Sequence, residues 1–135
     1  MAKILVVENN ESNADVIALI LESNDFTVDC IGDSSLVSDK LASFRPDLIL
    51  MDVQLDTDDE RVLCDSIKNH SDIPIVLVTA LPPKEVSKVP CKADDIIYKP
   101  FEMDELIEKL NISCFKGIKL KFLISEYFNP CLWQH

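Results

Sequence analysis

Five short apolar runs punctuate the chain: KILVV at 3–7, FTVDCI at 26–31, DLILM at 47–51, IVLVT at 75–79 and DIIY at 95–98. Runs this rich in Ile, Val and Leu suit strands covered on both faces, as in a parallel sheet. Between them the spacing turns helical. Ala14, Ile17, Ala18 and Leu21 predict a first helix, with Ser12 or Asn13 near its start as cap. Leu36, Val37 and Leu41 predict a second, ended before Arg45-Pro46, and Val62, Leu63 and Ile67 a third. Met103, Leu106, Ile107 and Leu110 predict a last one, with acids in its first turn where the helix dipole favours them.

This alternation predicts an α/β domain with a doubly wound, five-stranded parallel sheet. The exception is LPPKEVSKVPCKADD at 81–95, where Pro90 blocks a continuous helix, so the fourth helix is expected to be short or broken. Glycine stands only at 32 and 117, which leaves Asn and Asp to serve the other turns. Residues 1–117 make the predicted domain; 118–135, IKLKFLISEYFNPCLWQH, form a C-terminal extension too short for a second one.

Composition narrows the chemistry. A net charge of −11 over 135 residues argues against nucleic acid and anionic membrane as partners. The five cysteines are odd in number and lack a CxxC pair, and no signal peptide or membrane-length apolar window is seen. Together these predict a reducing, cytoplasmic setting. With only His70 and His135, a zinc site lacks ligands.

The informative residues follow the strands. Ligands of open parallel sheets bind beyond the carboxyl ends of strands, where strand order reverses. Glu8, Asn9 and Asn10 follow the first run, Asp52 ends the third in LILMDVQL, Thr79 closes the fourth, and Lys99-Pro100 follows the fifth. In strand order 2-1-3-4-5 the first and third strands are neighbours, so Glu8 and Asp52 are expected to meet. Two carboxylates and a backbone carbonyl suit a hard divalent cation such as Mg²⁺. A carboxylate beside such a cation can attack a phosphoryl group, whose roughly −2 charge calls for an ammonium and a hydroxyl donor. Lys99 and Thr79 supply those types.

ILVVENN, LILMDVQL, VLVTA and YKPF, in that order, resemble the receiver domains of response regulators in two-component signalling, over about residues 3–113. The resemblance implies a flavodoxin-like fold, with Asp52 accepting a phosphoryl group from a histidine kinase or phosphotransfer protein. It further implies Glu8, Asp52 and the main-chain carbonyl of Gln54 as Mg²⁺ ligands, Thr79 and Lys99 as phosphoryl partners, and a cis Lys99-Pro100 bond. The domain is then a signalling phosphoacceptor rather than an enzyme.

Four departures from the family qualify this. Asn9 stands where the family gives the metal a direct carboxylate, so weaker Mg²⁺ binding is expected. The loop after Asp52 lacks the family's proline and glycine and carries Asp56 and Glu60 instead. Ile96 stands at the switch position, which the family fills with an aromatic. The 81–95 segment is short and proline-rich. The rival reading is a pseudo-receiver, a binding module that no longer takes phosphate; retained Asp52, Thr79 and Lys99 oppose it. A dehalogenase-like phosphatase would want an acid at Gln54, and a flavin-binding flavodoxin would want a phosphate loop after the first strand. The aromatic tail is expected to cover its own domain or to contact a second copy. The downstream partner is not legible.

Overall fold

The computed structural model describes residues 2–53, 59–80 and 93–114. Its sheet holds five parallel strands: β1 (Lys3–Val7), β2 (Thr27–Ile31), β3 (Leu48–Val53), β4 (Ile75–Thr79) and β5 (Asp95–Tyr98), in the order β2-β1-β3-β4-β5. The helices are α1 (Glu11–Glu22), α2 (Val37–Ser43), α3 (Asp59–His70) and α4, residues 103–114. The doubly wound α/β fold and its predicted order are therefore present. Of the 81–95 segment expected to hold a short or broken helix, residues 81–92 lie outside the described residues, as do Gln54 and the 118–135 extension.

Two apolar layers explain why the strand runs are continuous. On one face Ile4, Val6, Leu50, Val76, Val78 and Ile97 pack against Ile17 and Leu21 of α1 and Leu106 and Leu110 of α4. On the other, Leu5, Val7, Ile49, Met51, Ile75 and Leu77 pack against Val37 of α2 and Cys64 and Ile67 of α3. Successive residues of one strand thus feed opposite layers, and both positions must be apolar. β2 lies at the sheet edge and shows the looser pattern of a strand covered less completely, with Thr27 exposed and only Ile31 fully buried.

Local chemistry departs from expectation at the start of α1. Its cap is Asn10, not Ser12 or Asn13: Asn10 is extended (φ −91°, ψ 113°) and its side chain accepts from the Asn13 N–H. The helix begins so soon after β1 that the asparagine ending the loop is already in capping position, and Ser12 and Asn13 fall inside the first turn. A 3₁₀ turn at Ser34–Leu36 precedes the short α2. The left-handed backbone positions fall on Asp25 (φ 69°) and Arg45 (φ 53°) rather than on glycine. Asp25 fits the expected use of Asp in turns; Arg45 has no such side-chain advantage.

One tether was not legible in the sequence. An Asp94 carboxylate oxygen accepts both the Ile75 N–H, at 2.7 Å, and the Lys68 ammonium, at 2.9 Å. It thereby closes the entrance to β4 and ties α3 to the start of β5. Asp94→Ala leaves the Ile75 N–H without its acceptor and is expected to cost about 1–2 kcal/mol in urea unfolding. Asp94→Asn, which keeps an acceptor oxygen, should recover part of that loss. Equal stability of both variants and the parent would show that the tether contributes nothing.

Candidate functional site

The register brings the acids together. β1 and β3 pair with Val6 beside Leu50 and Val7 beside Met51, so the next residues along, Glu8 and Asp52, fall side by side. Both belong by alternation to the face covered by α1 and α4. Asp52 is inside β3 rather than beyond its end, opposite Val78 of β4. Its side chain is only 8% exposed.

A charge of this kind must be paired, and it is. Lys99 Nζ donates to Asp52 Oδ2 at 2.6 Å, across 47 residues of sequence. Lys99 follows β5 immediately, and its own backbone N–H donates to the Thr79 carbonyl at 2.7 Å, which fixes the base of its side chain against β4. The Lys99-Pro100 bond is cis. Lys99 remains about one-third exposed, so its charge is partly hydrated at the rim while Asp52 lies below it.

Glu8 is more deeply buried, at 3% exposure. Its Oε1 accepts the Asn10 N–H at 2.9 Å, while its buried Oε2 has no hydrogen-bond partner. Burial raises its carboxyl from the usual 4.5 to about 7, and neighbouring Asp52 adds to the rise; the Asn10 N–H and Lys99 pull the other way. When Glu8 holds a proton, it can donate to Asp52. Near neutral pH the pair therefore sits between sharing a proton and carrying two like charges.

Thr79 is 2% exposed, at the end of β4, and pairs with Val53 and Tyr98 in the sheet. By alternation it belongs to the Leu77 side, opposite the face that Asp52 shares with Val78. Thr79 is thus tied to the other three by the Lys99 backbone bond at the strand ends rather than by a shared face. Asn9 is exposed beside the acids. Ile96 is half-buried and packs with Ala93 against the second core layer. Its neighbour two residues on, the exposed Tyr98, is the residue registered against Thr79.

The role of Asn10 is what sequence reasoning missed: it both caps α1 and holds Glu8. An Asn directly between a strand and an amphipathic helix was the available signal. Among the described residues no group of three or more His, Cys, Asp or Glu side chains is arranged to hold a metal. The acidic pair is the nearest approach. Cys30 and Cys114 carry thiols whose titration burial pushes upward, to about 11 for Cys114, consistent with apolar packing rather than redox chemistry. No helix among the described residues is long and apolar enough to cross a membrane.

Known proteins share both the pattern and the fold. The family model described as "Response regulator receiver domain" matches residues 4–111. The response regulator ArlR of Staphylococcus saprophyticus is 34% identical over 112 residues, covering 82% of this chain and 51% of that protein. The DNA-binding response regulator MtrA of Mycolicibacterium smegmatis is 32% identical over 110 residues, covering 80% of this chain and 48% of that one. The chain thus spans about half the length of the curated relatives it matches. Among solved structures, the signal receiver domain of a histidine kinase from Syntrophus aciditrophicus superposes with a TM-score of 0.77 at 31% identity. That match covers 88% of this chain and 93% of that one. The BeF3-activated receiver domain of Klebsiella pneumoniae RstA gives 0.75 at 27% identity, covering 83% and 97%. Receiver domains of this family generally bind Mg²⁺, and response regulators interact with histidine kinases. With its strand order, its strand-end acids and a family match spanning most of its length, the chain belongs to the response regulator receiver domains of two-component signalling.

Proposed function

We propose that Asp52 is a phosphoacceptor, taking a phosphoryl group from a histidine kinase or phosphotransfer protein and thereby changing how the domain binds a downstream partner. The observation that carries this reading is the Lys99–Asp52 pair at 2.6 Å beside a buried Glu8 oxygen that lacks a partner. A carboxylate that is only 8% exposed, near the carboxyl end of β3 and just below the rim where Lys99 sits, is positioned for an incoming group.

The donor set fits Mg²⁺. Glu8 and Asp52 offer hard carboxylate oxygens, and the orphaned Glu8 oxygen is a donor awaiting a cation. Glu8 and Asp52 would hold the metal, with the carbonyl of Gln54 as the family's further ligand; when bound, it supplies charge neutralisation for the phosphoryl oxygens. The chain's own residues do the rest. An Asp52 carboxylate oxygen forms the new O–P bond as the donor's P–N bond breaks, and the leaving imidazole takes up a proton. Lys99, already aimed at Asp52, would shift its ammonium to a phosphoryl oxygen, and the Thr79 hydroxyl could join only by reaching around the end of β4 from the opposite face.

Incubation with Mg²⁺ and acetyl phosphate, followed by intact-mass and peptide analysis, tests the proposal. A phosphoryl adduct on the peptide containing Asp52, lost on chelation of the metal, is expected. No adduct even at high Mg²⁺ would return the chain to the pseudo-receiver reading.

Asn9 gives a sharper check. Asn9→Asp adds a carboxylate to a site that has two, and is expected to tighten Mg²⁺ binding roughly tenfold and to speed adduct formation. Titration showing no gain would mean that residue 9 does not face the metal.

A further inference from the structure

Glu8 is held at two fixed points. Its backbone N–H donates to the Ile31 carbonyl at 3.0 Å, which ties residue 8 to the end of β2. Its Oε1 accepts the Asn10 N–H at 2.9 Å, and only Oε2, buried and without a hydrogen-bond partner, is left over.

The second fixed point is itself the start of a helix. Asn10 is the cap of α1, and its polar groups are committed in three directions. The N–H goes back to Glu8, the carbonyl accepts the Ala14 N–H at 2.9 Å, and Oδ1 accepts the Asn13 N–H at 3.0 Å. In a capping box the cap's own N–H is taken by a Glu or Gln three residues on. Residue 13 is asparagine here, and that N–H holds Glu8 instead.

We propose that Asn10 is a positioning residue for the cation: by capping α1 it fixes the N–H that pins Glu8 Oε1, and so presents Oε2 in one orientation. The inference rests on the reading of Glu8 as a Mg²⁺ ligand and adds that the start of α1 sets how tightly the ion is held. A free glutamate side chain loses rotamer freedom when it takes a cation. One already held at one oxygen has lost it beforehand, so binding is tighter. Coupling of this kind is reciprocal, and the cation must in turn tighten the first turn of α1. Asn10 is exposed and belongs to neither apolar layer, so substitution there leaves the core intact.

Mg²⁺ titration of the full chain, followed by NMR with no phosphodonor present, tests the proposal. Asn10→Ala removes the cap and is expected to weaken Mg²⁺ binding roughly fivefold; Asn10→Ser, whose hydroxyl can cap, is expected to restore it. In a Glu8→Gln background, where binding is already weak, Asn10→Ala is expected to have no further effect. Hydrogen exchange at the Asn13 and Ala14 amides is expected to slow when Mg²⁺ is added to the parent, but not when it is added to Glu8→Gln. That measurement needs no substitution at residue 10. Asn10→Ala that binds Mg²⁺ as tightly as the parent, while losing stability in urea, would make Asn10 a helix cap only. It would overturn the proposal and leave Glu8 a ligand. An equal loss in both backgrounds, or in Asn10→Ser, would also overturn it, because the effect would not pass through the cap and Glu8. Glu8→Gln that binds as tightly as the parent would remove Glu8 from the metal, and both readings would fall.

Discussion

Asp52→Asn is expected to abolish phosphoryl adduct formation while leaving the fold at least as stable as the parent. An amide oxygen is not a nucleophile of the carboxylate kind, so adduct yield from acetyl phosphate and Mg²⁺ should fall at least about a hundredfold. Stability should move the other way or not at all. The variant loses the Lys99 pair, but Lys99 is about one-third exposed and regains water in exchange. It also relieves Glu8. Burial is the main reason that Glu8 titrates high, but the hydrogen bond that its protonated form can give Asp52 and the Asp52 charge push the same way. Removing the charge at 52 is therefore expected to lower the Glu8 pKa, which carboxyl NMR would follow directly. An adduct that survives in the variant would place the acceptor elsewhere, and a large drop in melting temperature would mean that the ion pair is a structural element rather than a poised site.

The sequence disclosed the parts of this arrangement that periodicity and strand order control. Five apolar runs read as two-sided strands because two helical layers cover the sheet, and each layer draws on alternate residues of the same run. Given order 2-1-3-4-5, the meeting of Glu8 with Asp52 followed from adjacency of β1 and β3, and the approach of Lys99 from the end of β5. What stayed hidden depends on tertiary detail. A carboxylate directly followed by two exposed asparagines gives no sign that one of its oxygens is buried without a partner while the other is held by a backbone N–H. Asn10 looked like a loop residue because capping and loop chemistry use the same side chain. Strand alternation separates Thr79 from the face of Asp52, a distinction that a list of strand-end residues does not make. The Asp94 tether escaped because its partners, Lys68 and the Ile75 N–H, lie 26 and 19 residues away.

Glu8→Gln is expected to raise stability at pH 8 and to remove most of the stabilisation expected from Mg²⁺ at the proposed site. The sign follows from the raised carboxyl, about 7 in the folded chain against 4.5 ordinarily. Below pH 4.5 the group is protonated whether folded or not and contributes nothing to the balance. Between 4.5 and 7 the unfolded chain releases its proton while the folded chain retains it, so stability falls as pH rises. Above 7 the folded chain must carry a buried charge held by a hydrogen bond at one oxygen only, and the whole cost is present, on the order of 3 kcal/mol. Glutamine has no such charge and is expected to flatten the fall. If Glu8 holds Mg²⁺ as proposed, the metal is expected to reverse the balance in the parent alone, because it would bind the ionised carboxylate that folding otherwise penalises. Urea unfolding of both proteins at pH 5 and pH 8, with and without Mg²⁺, separates the effects. The variant should gain over the parent at pH 8 without metal, gain little at pH 5, and respond weakly to Mg²⁺. A parent whose stability is flat across this range would show that the Glu8 oxygen is hydrated in solution. A variant as responsive to Mg²⁺ as the parent would move the cation away from residue 8.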